Sequence, residues 1–161
     1  MFTMPHKDAP LVAIVGCSAI KTPHGAPAKE FYRSPLFKAS LAYAESKTKH
    51  IAIVSAFYGA VRLDQVLEPY DRKLTDLRKA ERDDWGVRTV ADLVRMTKLT
   101  QLSLLPVFLL LCGDVYSTAL VHGAHWYNLP RPLTPMAKMK GVGNRIAWLK
   151  EERERLDGAA T

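Results

Sequence analysis

Cysteine is scarce in this chain. Cys17 and Cys112 are the only two among 161 residues, each at or next to the end of an apolar run and neither in a C-x-x-C or C-x-x-H pair. That pattern makes neither a disulfide framework nor a cysteine-built zinc site. Long hydrophobic runs are missing too: no stretch approaches the roughly eighteen uncharged apolar residues that mark a membrane span. The opening MFTMPHKDAP has no continuous apolar core of the kind a signal peptide carries, so the expectation is a soluble cytoplasmic protein with reduced thiols. No repeat and no low-complexity segment appears. His6, His24, His50, His122 and His125 show no metalloprotease or zinc-finger spacing, and His122-x-x-His125 beside Trp126 reads as surface or structural. No metal and no cofactor is expected.

Acidic residues are the minority charge. Lys and Arg number 23 against 16 Asp and Glu, for a formal +7 and a pI near 9.5, a balance that favours DNA, RNA or nucleotide phosphate as partner and is also found in basic proteins that bind none of these. With 48% hydrophobic and 24% charged residues, the length suits one domain.

Three short apolar runs lack alternation: LVAIVG (11–16), IAIVSA (51–56) and VFLLLCG (107–113). Such runs suit parallel strands covered on both faces. Between the first two, Ser34 can cap a helix and Pro35 suits its first position, with Leu36, Phe37, Leu41 and Tyr43 toward the sheet. Residues 76–103 read as one helix, or as a pair broken near Gly86, burying Trp85, Val90, Leu93, Val94 and Met96. GDVYSTALV suggests a short helix, HWYNLPRPL a fourth strand or extended segment, and GVGNRIAWLKEERERL a final helix with Ile146, Trp148 and Leu149 apolar. The predicted fold is α/β: a single three-layer domain over 11–150 with a mostly parallel sheet of about four strands flanked by helices. Residues 1–10 are expected to be a mobile segment, and 151–161 a charged helix end and tail.

Each predicted strand runs directly into small or polar residues: Gly16-Cys17-Ser18 with Lys21, Ser55-Ala56-Phe57-Tyr58-Gly59, and Gly113-Asp114 with Tyr116. Parallel strands deliver such ends to one edge, where open α/β sheets bind ligands. Glycines and serines also end strands for no functional reason, which explains any one of these ends well and the three together less well. KMKGVGNR adds a helix start at which Gly141 and Gly143 permit close backbone approach, with Lys138, Lys140 and Arg145 beside it. It lacks the Walker lysine-serine ending and the third Rossmann glycine, so an NTPase or NAD reading is set aside.

In order along residues 11–150, GCSAIK, FYRSPLFKASLAYAE, IVSAFYGAVRLDQVLEPYDRKL, LLLCGDVY and PLTPMAKMKGVGNRIAWL resemble a bacterial and phage family of small cytosolic proteins without assigned chemistry. Its members carry a Cys-Gly/Ser-x-x-Lys loop, a Ser-Ala-x-Tyr-Gly strand end and a Gly-x-Gly helix start followed by Trp-Leu. More distantly, Cys17, Ser18, Ala19 and Lys21, with Ser55, Gly59, Glu68, Tyr70 and Asp71, are similar to segments of the catalytic domain of archaeosine synthase, which modifies a 7-deazaguanine base in transfer RNA. Thr22-Pro23-His24 departs from that enzyme's Pro-Tyr continuation. The architecture also resembles the uracil-DNA glycosylase group, without its Gly-Gln-Asp-Pro-Tyr motif.

These likenesses imply an enzyme that processes a base in nucleic acid or a nucleotide, by N-glycosidic cleavage or base modification. A non-catalytic DNA-, RNA- or nucleotide-binding module and an enzyme of free nucleotides are the alternatives. The candidate catalytic residues are Lys21, Glu68 and Asp71. Carboxylates can orient water or stabilise an oxocarbenium-like centre, and a lysine can bind phosphate or act as nucleophile. Lys21 reads equally as a solvated loop lysine, Asp71 as the cap of a turn or of the next helix, and Cys17 as a structural thiol unless a cation stabilises its thiolate. Substrate contacts are assigned to Gly16, Cys17, Ser18, Ser55, Tyr58, Gly59, Tyr70, Gly113 and Tyr116, the tyrosines as stacking faces or core aromatics, and phosphate contacts to Lys140, Gly141, Gly143 and Arg145.

Overall fold

The computed structural model describes residues 1–96 and 104–159. Three parallel strands make up most of the four-stranded sheet: β1 (Leu11–Gly16), β3 (Ile51–Ser55) and, at one edge, β6 (Val107–Leu111). β1 lies in the middle, pairing Ala13 with Ile51 on one side and Leu109 on the other. Its side chains alternate between faces. Val12 and Ile14 enter one buried cluster, Ala13 and Val15 the other, and this two-sided burial accounts for an apolar run without alternation.

Helix α2 (Pro35–Lys47) begins as the sequence predicts, with Ser34 Oγ accepting the Phe37 amide at 3.1 Å and proline at the first position. It shares one face of the sheet with α5 (Val142–Ala159), where Phe37, Tyr43 and Leu149 are buried. On the other face α3 (Lys79–Met96) packs against α4 (Asp114–Trp126). The sandwich is therefore helix, sheet, helix.

Four expectations need correction or completion. The helix at Gly86 does not break: it continues to Met96, and Gly86 serves the α3–α4 contact, since a Cβ there would lie 2.0 Å from the Ala119 carbonyl oxygen. The predicted continuation through 97–103 lies outside the described residues. The sheet's fourth strand is β4 (Gly59–Val61), antiparallel to β3 across a tight turn in which Gly59 takes φ 70°. The segment expected to supply that strand instead contributes the end of α4 and two isolated bridges, Thr3 to Pro130 and Leu109 to Leu133, because Pro130 and Pro132 have no amide to give a ladder. At the chain start, Thr3 donates its amide to the Leu129 carbonyl at 3.1 Å and Phe2 meets His125 edge-on, contacts that join residues 2 and 3 to the end of α4 and the residues after it.

Candidate functional site

The long loop after β1 is pinned from two sides. Thr22 and Arg33 donate their amides to Phe31 and Ile20 carbonyls at 2.9 and 2.8 Å, folding the loop back on the short helix α1 (Ala28–Phe31) and the residues after it. Further on, β2 (Ala26–Pro27) pairs with β5 (Val66–Leu67). These ties hold the β1 loop against the segment that follows β5.

Between them opens a cleft of about 250 Å³. Its walls are Cys17, Ser18, Ala19 and Lys21 from the β1 loop, Asp71 to Thr75 from the segment after β5, and Tyr116 from the first turn of α4. Three cations, Lys21, Arg72 and Lys73, stand there against one carboxylate, Asp71. Asp71 makes no hydrogen bond or ion pair among the described residues, and it caps no helix, since the 3₁₀ turn Leu74–Asp76 is preceded by Lys73 as its cap. The carboxylate is thus free to meet a ligand. Lys21 Nζ lies 4.6 Å from the centroid of the Tyr70 ring, a cation–π contact that holds the ammonium beside the cleft.

Beneath the cleft lies a hydroxyl network. Ser55 is fully buried. Its Oγ donates to the Tyr70 hydroxyl at 2.8 Å and accepts the amides of Phe57 and Tyr58 at 3.1 Å each. Tyr70 and Tyr32 share a hydrogen bond of 2.8 Å, and the Cys17 thiol donates to the Tyr116 hydroxyl at 3.5 Å. Trp85 Nε1 donates to the Ser55 carbonyl at 3.2 Å and meets Tyr116 edge-on. Burial pushes the Tyr32 hydroxyl up from 10.0 to about 12, with the hydrogen bonds from Tyr70 and Ser55 opposing. Burial, reinforced by the nearby Cys17, also raises Tyr70 and Tyr116. The three tyrosines consequently present neutral hydroxyls at physiological pH.

The proton balance predicts alkaline sensitivity. Burial raises Cys112 from 9.0 to about 12, as it does Tyr32 from 10.0. In the unfolded chain these groups lose their protons near ordinary values while the folded chain keeps them, so the native state binds more protons and stability falls as pH rises from about 9 toward 12. Urea melts at pH 8 and pH 10.5 should show the loss, with Tyr32→Phe shallower in slope. Equal stability at both values would contradict the described burial.

The candidate residues do not all meet. Cys17, Ser18, Lys21, Asp71 and Tyr116 line the cleft, whereas Ser55 lies under it and Tyr70 links the two layers. Tyr58 and Gly59 line a neighbouring recess. The Glu68 carboxylate rests against Gly25, where an added Cβ would come within 2.6 Å of Oε1, and its backbone is clamped by the Tyr58 hydroxyl. Gly16 serves strand packing: an added Cβ would meet Cys112 Cβ at 2.7 Å. Gly113 stands at the N-cap of α4, with open space around it. Lys140, Gly141, Gly143 and Arg145 are absent from the cleft wall. Arg145 donates to Asp114 Oδ1 at 2.9 Å and to the Met139 carbonyl at 3.4 Å, joining the start of α5 to that of α4.

Arg72, Lys73 and Thr75 carry no motif, and their signal in the sequence is the charged run directly after Tyr70-Asp71. Among the described residues no group of three or more His, Cys, Asp or Glu is placed to hold a metal ion, and no helix is long and apolar enough to cross a membrane.

A family model covers residues 12–151, nearly the whole domain: DUF6884, a family of unknown function. The chain belongs to that family. No curated protein and no solved structure matches the chain.

Proposed function

We propose that this DUF6884 member is an enzyme that processes a nucleobase or nucleoside of nucleic acid or a nucleotide, by N-glycosidic cleavage or base modification, in the cleft between the β1 loop and the segment 71–75. One observation carries the reading: an unpartnered carboxylate, Asp71, shares a cleft of about 250 Å³ with Lys21, Arg72 and Lys73. Cations left without carboxylate partners suit a phosphate. The base then faces Tyr116 and the Cys17-Ser18 backbone, and Asp71 orients water or steadies positive charge developing at the sugar carbon. Lys21, set against an aromatic face, acts through its charge on the phosphate. The neutral Tyr116 hydroxyl on the cleft wall supplies a hydrogen bond to a polar base edge.

The test is a mass-spectrometric search for released or altered bases after incubation with modified and unmodified DNA and RNA, beside binding isotherms at several salt concentrations. The reading predicts a changed base and a binding constant that falls linearly in log salt as phosphates release counterions. Tight, salt-dependent binding with every substrate unchanged would establish a binding module instead, and binding that ignores salt would remove the phosphate contacts altogether.

A further inference from the structure

Beside the cleft lies a second recess of about 230 Å³, and Arg72 lines both. Arg88 adds another cation to its wall, with Asp92 the carboxylate there. At this recess stands Phe57, 54% exposed. An exposed phenyl ring is ordinary when isolated. This one is neither isolated nor loosely held.

Its ring stacks on Tyr70 at 5.3 Å between centroids and 19° between planes, and meets Tyr58 edge-on at 4.9 Å. Both members of the stack are fixed by one atom. Ser55 Oγ takes the Phe57 amide, setting the turn that carries the ring outward, and donates to the Tyr70 hydroxyl below it. Ser55 itself is fully buried, so the platform is anchored in the sheet and offers an apolar face toward solvent among cations. Lys21, over the same Tyr70 ring, connects the platform to the first cleft.

We infer that the ligand is a single strand of nucleic acid, not a free nucleotide: one nucleotide occupies the cleft at Asp71, the neighbouring base stacks on Phe57, and Arg72 holds the phosphate between them. This deepens the function proposed above and rests on it. A mononucleotide uses only one of the two recesses, whereas a strand uses the aromatic face and both cationic walls. Base–aromatic stacking tolerates any base, because every base has a π-face. A duplex keeps its bases stacked on each other, so it cannot offer one to Phe57.

The probes are thymidine monophosphate, an eight-residue thymidine strand, an eight-residue uridine strand and a duplex of mixed sequence, titrated into the full chain. The strands should bind at least about 10-fold more tightly than the mononucleotide, and Phe57→Ala should weaken strand binding by about 10-fold or more while leaving the mononucleotide unchanged. Phe57→Trp keeps a stacking face and should retain strand affinity; with thermal melts it separates lost stacking from lost folding. Arg72→Gln should lower the salt slope for the strand by about one. The thymidine and uridine arms tell DNA from RNA. Equal affinity for strand and mononucleotide, with Phe57→Ala silent, overturns the inference and leaves the proposed site standing; preference for the duplex also overturns it. Failure of every probe to bind overturns the site itself.

Discussion

Asp71→Asn is expected to cut turnover by about 100-fold or more, the range in which a positioned general acid or base contributes, while substrate affinity stays level or improves. The direction follows from the cleft's charges. Asp71 is the carboxylate among Lys21, Arg72 and Lys73, so its neutralisation leaves the cations free to hold phosphate and removes the charge that acts on the sugar or on water. Because the side chain caps no helix and has no hydrogen-bond partner among the described residues, melting should move by no more than the roughly 0.5 kcal/mol usual for a surface change. The readout is the rate of base release or alteration beside a thermal melt. An unchanged rate would take the chemistry away from Asp71; a large stability loss would mean the carboxylate supports the loop.

The second large effect falls on the fold. Gly86→Ala should destabilise the domain by about 3 kcal/mol or more, at or beyond the upper end of ordinary overpacking. A Cβ at Gly86 would stand 2.0 Å from the Ala119 oxygen and 2.6 Å from its carbonyl carbon, both backbone atoms that no rotamer change can move aside. The reciprocal position is as tight: a Cβ at Gly123 would lie 2.4 Å from the Gly86 oxygen. Helices α3 and α4 thus meet backbone to backbone, and α4 carries Tyr116 in its first turn. A denaturant melt of Gly86→Ala tests this. A midpoint matching wild type would show that the helices sit farther apart, and an ordered domain with a displaced α4 should also lose the Cys17–Tyr116 contact.

How far the sequence reveals such features depends on how local their cause is. The start of α2 needs only Ser34 and Pro35, and the central strands need only runs too apolar to face water, so both are readable in the chain. Gly86 looks like a helix breaker because its purpose is a carbonyl on α4, distant in sequence. Strand β4 hides for a similar reason: three residues pair only because Ser55 and Gly59 close a turn. In the site, Cys17, Ser18, Lys21 and Tyr116 were legible from strand ends that topology must bring to one edge, and Asp71 from its place beside Tyr70. Arg72 and Lys73 carry no motif, and a charged run after a turn looks like solvated surface until a loop from β1 is laid opposite it. Phe57 is visible in the sequence only as part of the strand end Ser55-Ala56-Phe57-Tyr58-Gly59, with no sign of which way its ring faces. The hydrogen bonds of Ser55 to the Phe57 and Tyr58 amides, with Gly59 at positive φ, set the turn that leaves it exposed.

Glu68 and the Gly141–Arg145 helix start illustrate the opposite limit. Spacing places Glu68 three residues from Asp71, but the Tyr58 hydroxyl holds the backbone so that its carboxylate lies against Gly25. The Gly-x-Gly sequence suggests an anion site, while one of the charges beside it, Arg145, is engaged by Asp114 and Met139. Chemistry-bearing residue types were visible in both cases. Their partners were not.

The cleft as the seat of the ligand is most directly tested by a crystal structure of the full chain with a short single strand bound. The account predicts a phosphate within hydrogen-bond distance of Lys21, Arg72 or Lys73, and the adjoining sugar beside the Asp71 carboxylate. A strand held instead at the start of α5, by Lys140 and the amides after Gly141, with the cleft between residues 17–21 and 71–75 unoccupied, would contradict it.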